Sequence, residues 1–230
     1  MMKNILFDLD NTLIDRVATV ASFSIPFVEK FKAQLLPNVC VDELARSFVL
    51  LDKGGYAKHA ERAKAIQNLK IWRSVPASAL LLSEFWQSWI PNNSVLMSGA
   101  LDCLRELSER GFKIGLVTNG KTRNQTDKVI SSGLKKYFDT IVISESVGVK
   151  KPDSRIFDIA LSNLGGNASE TLFIGDHQIN DYLGATKASL VAVWFQNDQV
   201  WQQLEFKPKY VVNNLNQVVE LATSLTNHSS

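Results

Sequence analysis

The segment NILFDLDNTL, residues 4–13, runs an apolar stretch directly into two carboxylates that stand two positions apart, Asp8 and Asp10. Because side chains alternate along a strand, both carboxylates project to the same side of the sheet where the chain leaves it. Two acids held together repel each other unless a cation or a shared proton relieves the repulsion. The pattern therefore predicts a magnesium site with a nucleophilic carboxylate. An ordinary polar turn of Asp, Asn and Thr remains the alternative for these residues taken alone.

Two later segments repeat the pattern of an apolar stretch followed by polar side chains. They are FKIGLVTNG at residues 112–120 and TLFIGD at residues 171–176, and Asp181 follows five positions after the second. Between them, ESVGVKKPD at residues 145–153 places two lysines just before a predicted helix. Ligands of open α/β folds bind in the crevice outside the carboxyl ends of parallel strands. We therefore expect four strand ends to supply one site.

Taken together, these motifs resemble those of the haloacid dehalogenase superfamily on its phosphatase side, and the resemblance covers nearly the whole chain. The four family motifs occur in order: residues 8–12, Thr118 with Asn119, Lys151 followed by Pro152 and Asp153, and Gly175-Asp176 with Asn180-Asp181. Each motif alone is weak, but four in order form a specific pattern. The resemblance implies the branch that carries a helical cap after the nucleophile loop, which includes phosphoglycolate phosphatases and nucleotide 5′-phosphatases.

The resemblance also implies how the site would hydrolyse a phosphate ester. Asp8 would attack phosphorus to form an aspartyl-phosphate, and Asp10 would act first as general acid and then as general base. Thr118 and Lys151 would hold the transferring phosphoryl group, with Asn119 beside it. Phosphoryl transfer needs mainly positioning and positive charge around the phosphoryl oxygens, and a lysine and a metal ion supply that charge.

The implied cofactor is Mg²⁺, bound by Asp8, the backbone carbonyl of Asp10, and Asp176. The metal would neutralise the meeting of two anions, the substrate phosphate and the nucleophile. Three further residues, Thr12, Asn180 and Asp181, are expected to support the site. Asn180 and Asp181 would do so by orienting the lysine and the waters of the metal.

Other activities on the same scaffold remain open. Dehalogenases of this superfamily lack an acid in the position of Asp10, because a carbon–halogen bond needs neither a leaving-group proton nor magnesium. A phosphomutase similar to β-phosphoglucomutase, which returns the phosphoryl group to a sugar, is an alternative, although Asn11 stands where such mutases usually have Gly. A non-catalytic phosphate-sensing binding protein is a further alternative. The intact set of acids argues against it, because they are costly to keep together without a metal and an anion.

The letters GLVTNGKT, residues 115–122, match the Walker A pattern of nucleotide-binding loops. Such a loop needs its first glycine at the end of the strand, whereas Gly115 stands inside the apolar run from Ile114 to Val117. Residues 123–127 are also too polar for the buried start of the helix that should follow. We therefore predict a strand end of the phosphatase site here and no nucleotide loop.

The order of the strand and helix patterns predicts an α/β fold with a helical insertion. Residues 15–96 show helix-like periodicity without a strand pattern, whereas helix and strand alternate from Ser98 onward. The predicted strands cover residues 113–118, 140–143, 172–175 and 190–194. The alternation is typical of a Rossmann-like parallel sheet flanked by helices. We therefore expect a catalytic core of residues 1–15 and 96–230 and a small all-helical cap domain of residues 16–95.

Two features of the predicted cap have a functional and a structural interpretation. The segment KGGYAK, residues 53–58, is a candidate clamp for an anionic substrate, although a helix-to-helix turn with solvated lysines is favoured. Phe85, Trp86 and Trp89 are expected to form the core of the cap rather than a ligand cage. A cap would serve the chemistry by shielding the aspartyl-phosphate from stray water.

Composition fits a soluble enzyme. The chain of 230 residues has a formal charge of +2 and no basic run, which does not indicate a nucleic-acid groove. Its two cysteines, Cys40 and Cys103, are far apart, as is typical of reduced cytosolic thiols. No signal peptide and no apolar stretch of membrane-spanning length are apparent. We expect a cytoplasmic enzyme whose partner is a small phosphorylated metabolite, with neither nucleic acid nor membrane as partner, and a disordered tail at residues 226–230.

Overall fold

The computed structural model describes residues 1–197, 199–202 and 207–227, and a six-stranded sheet lies at its centre. The strands are β1 (Asn4–Phe7), β2 (Lys113–Thr118), β3 (Thr140–Ile143), β4 (Thr171–Gly175), β5 (Val191–Phe195) and β6 (Tyr210–Val212). Neighbouring strands are parallel, in the order β3-β2-β1-β4-β5-β6. The predicted parallel sheet is confirmed. Only β6 was not predicted, because three residues are too few to show a strand pattern.

Eleven α-helices occur in the described part of the chain. They are α1 (Arg16–Ser22), α2 (Ser24–Phe31), α3 (Val41–Asp52), α4 (His59–Gln67), α5 (Ala79–Trp89), α6 (Ala100–Glu109), α7 (Thr122–Ser131), α8 (Ser144–Val147), α9 (Ser154–Leu164), α10 (Gly184–Lys187) and α11 (Leu215–Asn227). The chain divides into two compact units, which we call the sheet unit (Met1–Ile14 with Leu96–Ser230) and the helical unit (Asp15–Val95). Helices α1 to α5 belong to the helical unit.

Each face of the sheet packs its own apolar core. Leu6 of β1 and Phe173 of β4 lie in one buried cluster with residues of α9. Ile5 and Phe7 of β1 point the other way, into a cluster with residues of α6 and α11. Because helices cover both faces, every residue of β1 is buried, as is usual for parallel strands. The predicted sheet flanked by helices is thereby confirmed.

Gly115 lies inside β2, as the argument against a nucleotide loop requires. A Cβ atom at this position would lie 2.6 Å from Leu6 and 2.8 Å from Thr140, so the glycine allows neighbouring side chains to pack against the strand. The expectation that the polar segment 123–127 cannot contribute to a buried helix face is wrong. Gln125 of α7 is only 3% exposed, since its amide has polar partners at the site described below.

Aromatic side chains form the core of the helical unit. The ring of Phe23 lies between 5.0 and 5.9 Å, centroid to centroid, from five others, those of Phe27, Phe48, Phe85, Trp86 and Trp89. The predicted role of the aromatic residues in α5 as core is confirmed. Helices α1 and α2 meet at Phe23. Pro26 is tolerated in the first turn of α2, where a backbone N–H has no helical acceptor.

The glycine-containing segment of the helical unit follows α3 and packs on an ion cluster. Gly54 and Gly55 have φ angles of 63° and 94°, and a Cβ atom on Gly55 would lie 2.9 Å from the Arg16 guanidinium. Arg16 donates to the buried carboxylate of Asp52 at 2.7 and 2.9 Å, and Arg62 lies 3.4 Å from the same group. Burial lowers the pKa of Arg62 to about 10, against the opposing charge of Asp52. These contacts support the interpretation of the segment as a structural turn.

The end of the chain departs from the sequence-based expectation. Helix α11 continues to Asn227, so the first two residues of the tail expected to be disordered are helical, and residues 228–230 lie outside the described residues. Cys40 is exposed and Cys103 is buried, and both are free thiols. Within the described residues, no helix combines the length and the apolar character that crossing a membrane requires.

Candidate active site

The first motif forms the tight loop that follows β1. The backbone N–H of Asp8 donates to the carbonyl of Ile174 at 2.9 Å, so the pairing with β4 extends to the first carboxylate. Three of the next N–H groups donate to the carbonyl of Leu9 and turn the chain back. Asn11 adopts a left-handed φ of 60°, which Asn tolerates better than most residues. The loop thus places Asp8 and Asp10 at the carboxyl end of β1.

Lys151 is the buried cationic partner of Asp8. Its Nζ lies 2.6 Å from Asp8 Oδ1 and 2.7 Å from Asp181 Oδ1, and its side chain is 2% exposed. Burial alone would lower the pKa of Lys151, but the charges of Asp181 and Asp8 outweigh it and raise that pKa. Asn119 holds the backbone of Lys151 in place, since its Nδ2 donates to the carbonyl at 3.0 Å and its Oδ1 accepts from the N–H at 2.9 Å. The predicted contact of Asn119 with phosphate stays a prediction.

Three buried carboxylates crowd together at the ends of β1 and β4. They belong to Asp8, Asp176 and Asp181, and one oxygen atom of each lies within 4.8 Å of the others. Burial raises the pKa of Asp8 to about 7, although Lys151 opposes the rise and Asp181 adds to it. Burial, followed by the charges of Asp181 and Asp8, raises the pKa of Asp176 well above its usual range. The cluster therefore contains more negative charge than its lysine neutralises.

This cluster suits a hard divalent cation. Carboxylate oxygens are the donors that magnesium prefers, and a bound cation would relieve the repulsion that raises these pKa values. Asp181 is the least available of the three, because Oδ1 faces a lysine and Oδ2 accepts from the His177 N–H at 2.9 Å. Asp8 and Asp176, both predicted ligands, are the remaining carboxylates. The backbone carbonyl of Asp10, the third predicted ligand, stays a prediction.

Asp10 has a separate set of partners. Lys128 Nζ lies 2.8 Å from its Oδ1 and 2.6 Å from its Oδ2. Gln125 Nε2 donates to Asp10 Oδ2 at 3.2 Å and to Thr118 Oγ1 at 2.7 Å. Gln125 and Lys128 lie three positions apart in α7 and therefore share one helix face. That face links the predicted acid and base, Asp10, to the predicted phosphate-binding residue Thr118.

Sequence reasoning missed Lys128 and Gln125, together with Gln199. Gln125, Lys128 and Val129 follow the i, i+3, i+4 spacing of a buried helix face, and this spacing was the available signal. Because lysine and glutamine side chains on a helix are ordinarily solvated, this spacing was not interpreted as a buried face. Gln199 lies in the segment that follows β5, where no sequence motif marks it. Its Nε2 donates to Asp176 Oδ2 at a distance of 3.1 Å.

The other predicted supporting residues lie around the same strand ends. Thr12 is fully buried, and its hydroxyl has no hydrogen-bond partner in the part of the chain that the structure describes. Asn180 lies in the π-helical turn Gln178–Leu183 after β4, where its N–H donates to His177 Nδ1 at 3.1 Å. The structure brings every predicted site residue to the carboxyl edge of the sheet or to the turns beside it. Their chemical roles stay predictions.

Comparison with known families decides which fold family this arrangement represents. A family model described as haloacid dehalogenase-like hydrolase matches residues 5–195. The chain belongs to the haloacid dehalogenase-like hydrolase family. The resemblance inferred from the four motifs is confirmed, and so is the prediction of a hydrolase.

Curated relatives of this haloacid dehalogenase-like hydrolase include phosphatases and nucleotidases. Ribulose-1,5-bisphosphate 5-phosphatase of Halopiger xanaduensis is 32% identical over 206 residues, which cover 85% of each chain. Glyceraldehyde 3-phosphate phosphatase of Methanothermobacter thermautotrophicus is 28% identical over 207 residues, 84% of this chain and 85% of the relative. Pyrimidine 5′-nucleotidase YjjG of Escherichia coli is 36% identical, but the match spans only about half, 54% of this chain and 56% of the relative. The placement on the phosphatase side of the superfamily is confirmed.

Solved structures of the same family share the fold at low sequence identity. The HAD-hydrolase YfnB of Bacillus subtilis, whose structure was determined with bound magnesium, superposes with a TM-score of 0.77 at 22% identity, covering 96% of this chain and 98% of that one. L-2-haloacid dehalogenase of Xanthobacter autotrophicus superposes with a TM-score of 0.68 at 17% identity, covering 97% and 99%. These two structures show a shared fold. The reaction has to be argued from the side chains at the site.

Proposed function

We propose that the chain is a magnesium-dependent phosphatase that hydrolyses a small phosphorylated metabolite through an aspartyl-phosphate on Asp8. The observation that carries the proposal is the pairing at the end of β1. Asp8 lies against the buried Lys151, and Asp10 lies against the buried Lys128. Two carboxylates in different surroundings within one site are what a nucleophile and a separate acid and base require.

In the first proposed step, a carboxylate oxygen of Asp8 attacks phosphorus while the bond from phosphorus to the leaving oxygen breaks. Asp10 gives its proton to that oxygen, and the alcohol departs. In the second step, Asp10 takes a proton from a water molecule whose oxygen attacks phosphorus, and the bond between Asp8 and phosphorus breaks. Inorganic phosphate leaves, and both carboxylates return to their starting states. General acid and base catalysis of this kind contributes about 10²–10⁴-fold.

The residues around Asp8 supply charge and orientation for these steps. Lys151 would attract the oxygens of the transferring group, and Thr118, held by Gln125, would donate its hydroxyl to one of them. Asp8 and Asp176 would hold the magnesium ion, with Asp181 orienting Lys151 beside it. When bound, magnesium supplies the positive charge that lets an anionic substrate approach an anionic nucleophile.

Asp10 also supports phosphatase over dehalogenase chemistry. A carbon–halogen bond breaks without a leaving-group proton, so such a reaction has no use for a second carboxylate in that position. Transfer to a sugar, as in a phosphomutase, requires a sugar to occupy the place of the attacking water. The phosphatase activities named for three relatives favour hydrolysis. The helical unit would serve as the cap that excludes stray water, and the cytoplasmic location stays a prediction.

The test is phosphate release from a panel of metabolites, measured with magnesium or with a chelator. Three of the relatives are named for different substrates. The panel therefore contains glyceraldehyde 3-phosphate, ribulose 1,5-bisphosphate and, as a pyrimidine nucleotide, uridine 5′-monophosphate. The expected result is magnesium-dependent release by the native chain and by Lys135→Met, a control at an exposed lysine of the sheet unit. Asp8→Asn should release none. The panel can be extended to sugar phosphates. If the native chain releases phosphate from no member of the extended panel, the proposal is contradicted.

A further inference from the structure

Lys128 is a buried lysine to which the four family motifs assign no role. It belongs to the sheet unit, lies in the second turn of α7 and is only 4% exposed. Its ammonium reaches both oxygens of Asp10, at 2.8 and 2.6 Å, across 118 positions of sequence. Burying an ammonium group is costly unless it is paired with an opposite charge and hydrogen-bonded. Its place in the core is therefore tied to the carboxylate of Asp10.

We propose that Lys128 is a positioning residue that fixes the plane of the Asp10 carboxylate for proton transfer in both steps. The inference rests on the proposed phosphatase function. A carboxylate held at one oxygen can still rotate about its Cβ–Cγ bond, whereas contact with both oxygens opposes that rotation. Proton transfer requires the carboxylate within hydrogen-bond reach of the leaving oxygen and then of the water. Holding its plane reduces the orientations that have to be searched.

Gln125 connects the Asp10 carboxylate to the predicted phosphate-binding residue Thr118. Its Nε2 group bridges Asp10 Oδ2 and Thr118 Oγ1, at 3.2 and 2.7 Å. One face of α7 therefore sets Asp10 relative to the strand end that would hold the phosphoryl group. The ion pairs of Lys151 are with Asp8 and Asp181. Lys128 thus serves the acid and base, whereas Lys151 serves the nucleophile.

The experiment compares two substrates that differ in their need for a leaving-group proton. Nitrophenolate leaves without a proton, so p-nitrophenyl phosphate bypasses the acid function of Asp10, whereas the fastest alkyl phosphate of the panel depends on it. The quantity compared is kcat/KM, which includes only the steps through transfer to Asp8. For Lys128→Met, we expect a loss of about 10–100-fold with the alkyl phosphate, the scale of a misplaced catalytic group. The loss with p-nitrophenyl phosphate should stay below about threefold.

Three further variants separate positioning from other roles. Lys128→Arg should restore most of the alkyl phosphate activity, because a guanidinium can also contact both oxygens. In an Asp10→Asn background, Lys128→Met should cause no additional loss, because a residue that acts only through Asp10 has nothing left to position. Lys135→Met is the matched control at an exposed lysine. If Lys128→Met unfolds, Lys128→Gln, whose neutral polar side chain is one atom shorter than that of lysine, gives the same comparison.

The outcomes distinguish the inference from its alternatives. Equal losses with both substrates, together with a lowered melting temperature, would show a structural lysine and overturn the positioning role. A loss that persists in the Asp10→Asn background would show direct contact with substrate and overturn it as well. An active native enzyme with an unaffected Lys128→Met variant would overturn this inference alone. An inactive native chain would overturn the proposed function and, with it, the role assigned to Lys128.

Discussion

Asp8 and Asp10 leave the same strand end two positions apart, yet their surroundings differ in charge and exposure. Asp8 shares one buried lysine with Asp181 and lies close to the further acid Asp176. Asp10 has a lysine on both oxygens and an amide on one. The Asp10 side chain is also more exposed, at 21% against 11% for Asp8. The region around Asp8 thus has excess negative charge that a bound cation would neutralise. The carboxylate of Asp10 is instead paired with a lysine of the chain itself.

The difference suits the two proposed tasks. A nucleophile attacks once at a fixed distance from phosphorus, so a closed and rigid environment serves it. An acid and base has to reach the leaving oxygen and then a water molecule, so it needs partial access together with a defined orientation. The two regions therefore predict different consequences when each is altered.

The largest expected effect separates the two carboxylates by the step that each one blocks. Asp8→Asn removes the nucleophile, so p-nitrophenyl phosphate should give neither a rapid burst of nitrophenolate nor turnover. Asp10→Asn should still transfer the phosphoryl group from this substrate and should then stall, with turnover reduced about 10²–10⁴-fold. Stopped-flow absorbance should show a burst of about one nitrophenolate per active site. A burst in Asp8→Asn would contradict the assignment of the nucleophile.

The next effect concerns the two lysines. Lys151→Met should lower kcat/KM by about 10²–10³-fold, as is typical when one group that stabilises transition-state charge is removed. Because Lys151 acts on the phosphoryl group, the loss should be equal for p-nitrophenyl phosphate and for an alkyl phosphate. Lys128→Met should instead discriminate between them. If the loss of kcat/KM in Lys151→Met depends on the leaving group, the proposed division between the two regions is contradicted.

How much of this could be predicted differs between the same regions. Asp8 and Asp176 directly follow strand ends, and parallel strands bring such ends together whatever the loops between them do. Lys128 is brought to Asp10 by the packing of α7, a contact across 118 positions that no local pattern specifies. The same reason hid Gln199, and β6 was missed because it is only three residues long. Local apolar patterns predicted the strands and their edge, whereas the polar contacts made by helices and loops depended on tertiary packing.

A smaller effect tests where magnesium binds. At a concentration of about one hundred times its Kd, a ligand stabilises the folded state by about 2.7 kcal/mol. For a chain of this size, each kcal/mol shifts the melting temperature by about 2–4 °C. Asp176→Asn should lose this magnesium-induced shift, because it removes a carboxylate of the buried cluster. Asp10→Asn should keep it, because its carboxylate is bound by Lys128 and only its backbone carbonyl is a predicted ligand. Differential scanning fluorimetry measures both, and loss of the shift in Asp10→Asn alone would contradict the division.

The last effect is a pH dependence of stability that the nucleophile region should produce. The pKa of Asp8 is raised from 3.8 to about 7 in the folded chain. Between these values the folded state holds a proton that the unfolded state has lost, so the contribution of Asp8 to stability falls as the pH rises from about 4 to about 7. Replacing Asp8 with Asn removes this contribution. With a chelator present, the melting temperature of Asp8→Asn should therefore gain on that of the native chain as the pH rises through this window, by about 2–4 °C for each kcal/mol. Magnesium at neutral pH should narrow the gap, because a bound cation favours the ionised carboxylate that repulsion disfavours. A gap that stays constant from pH 4 to pH 8 would show that burial of Asp8 places no strain on its ionised form.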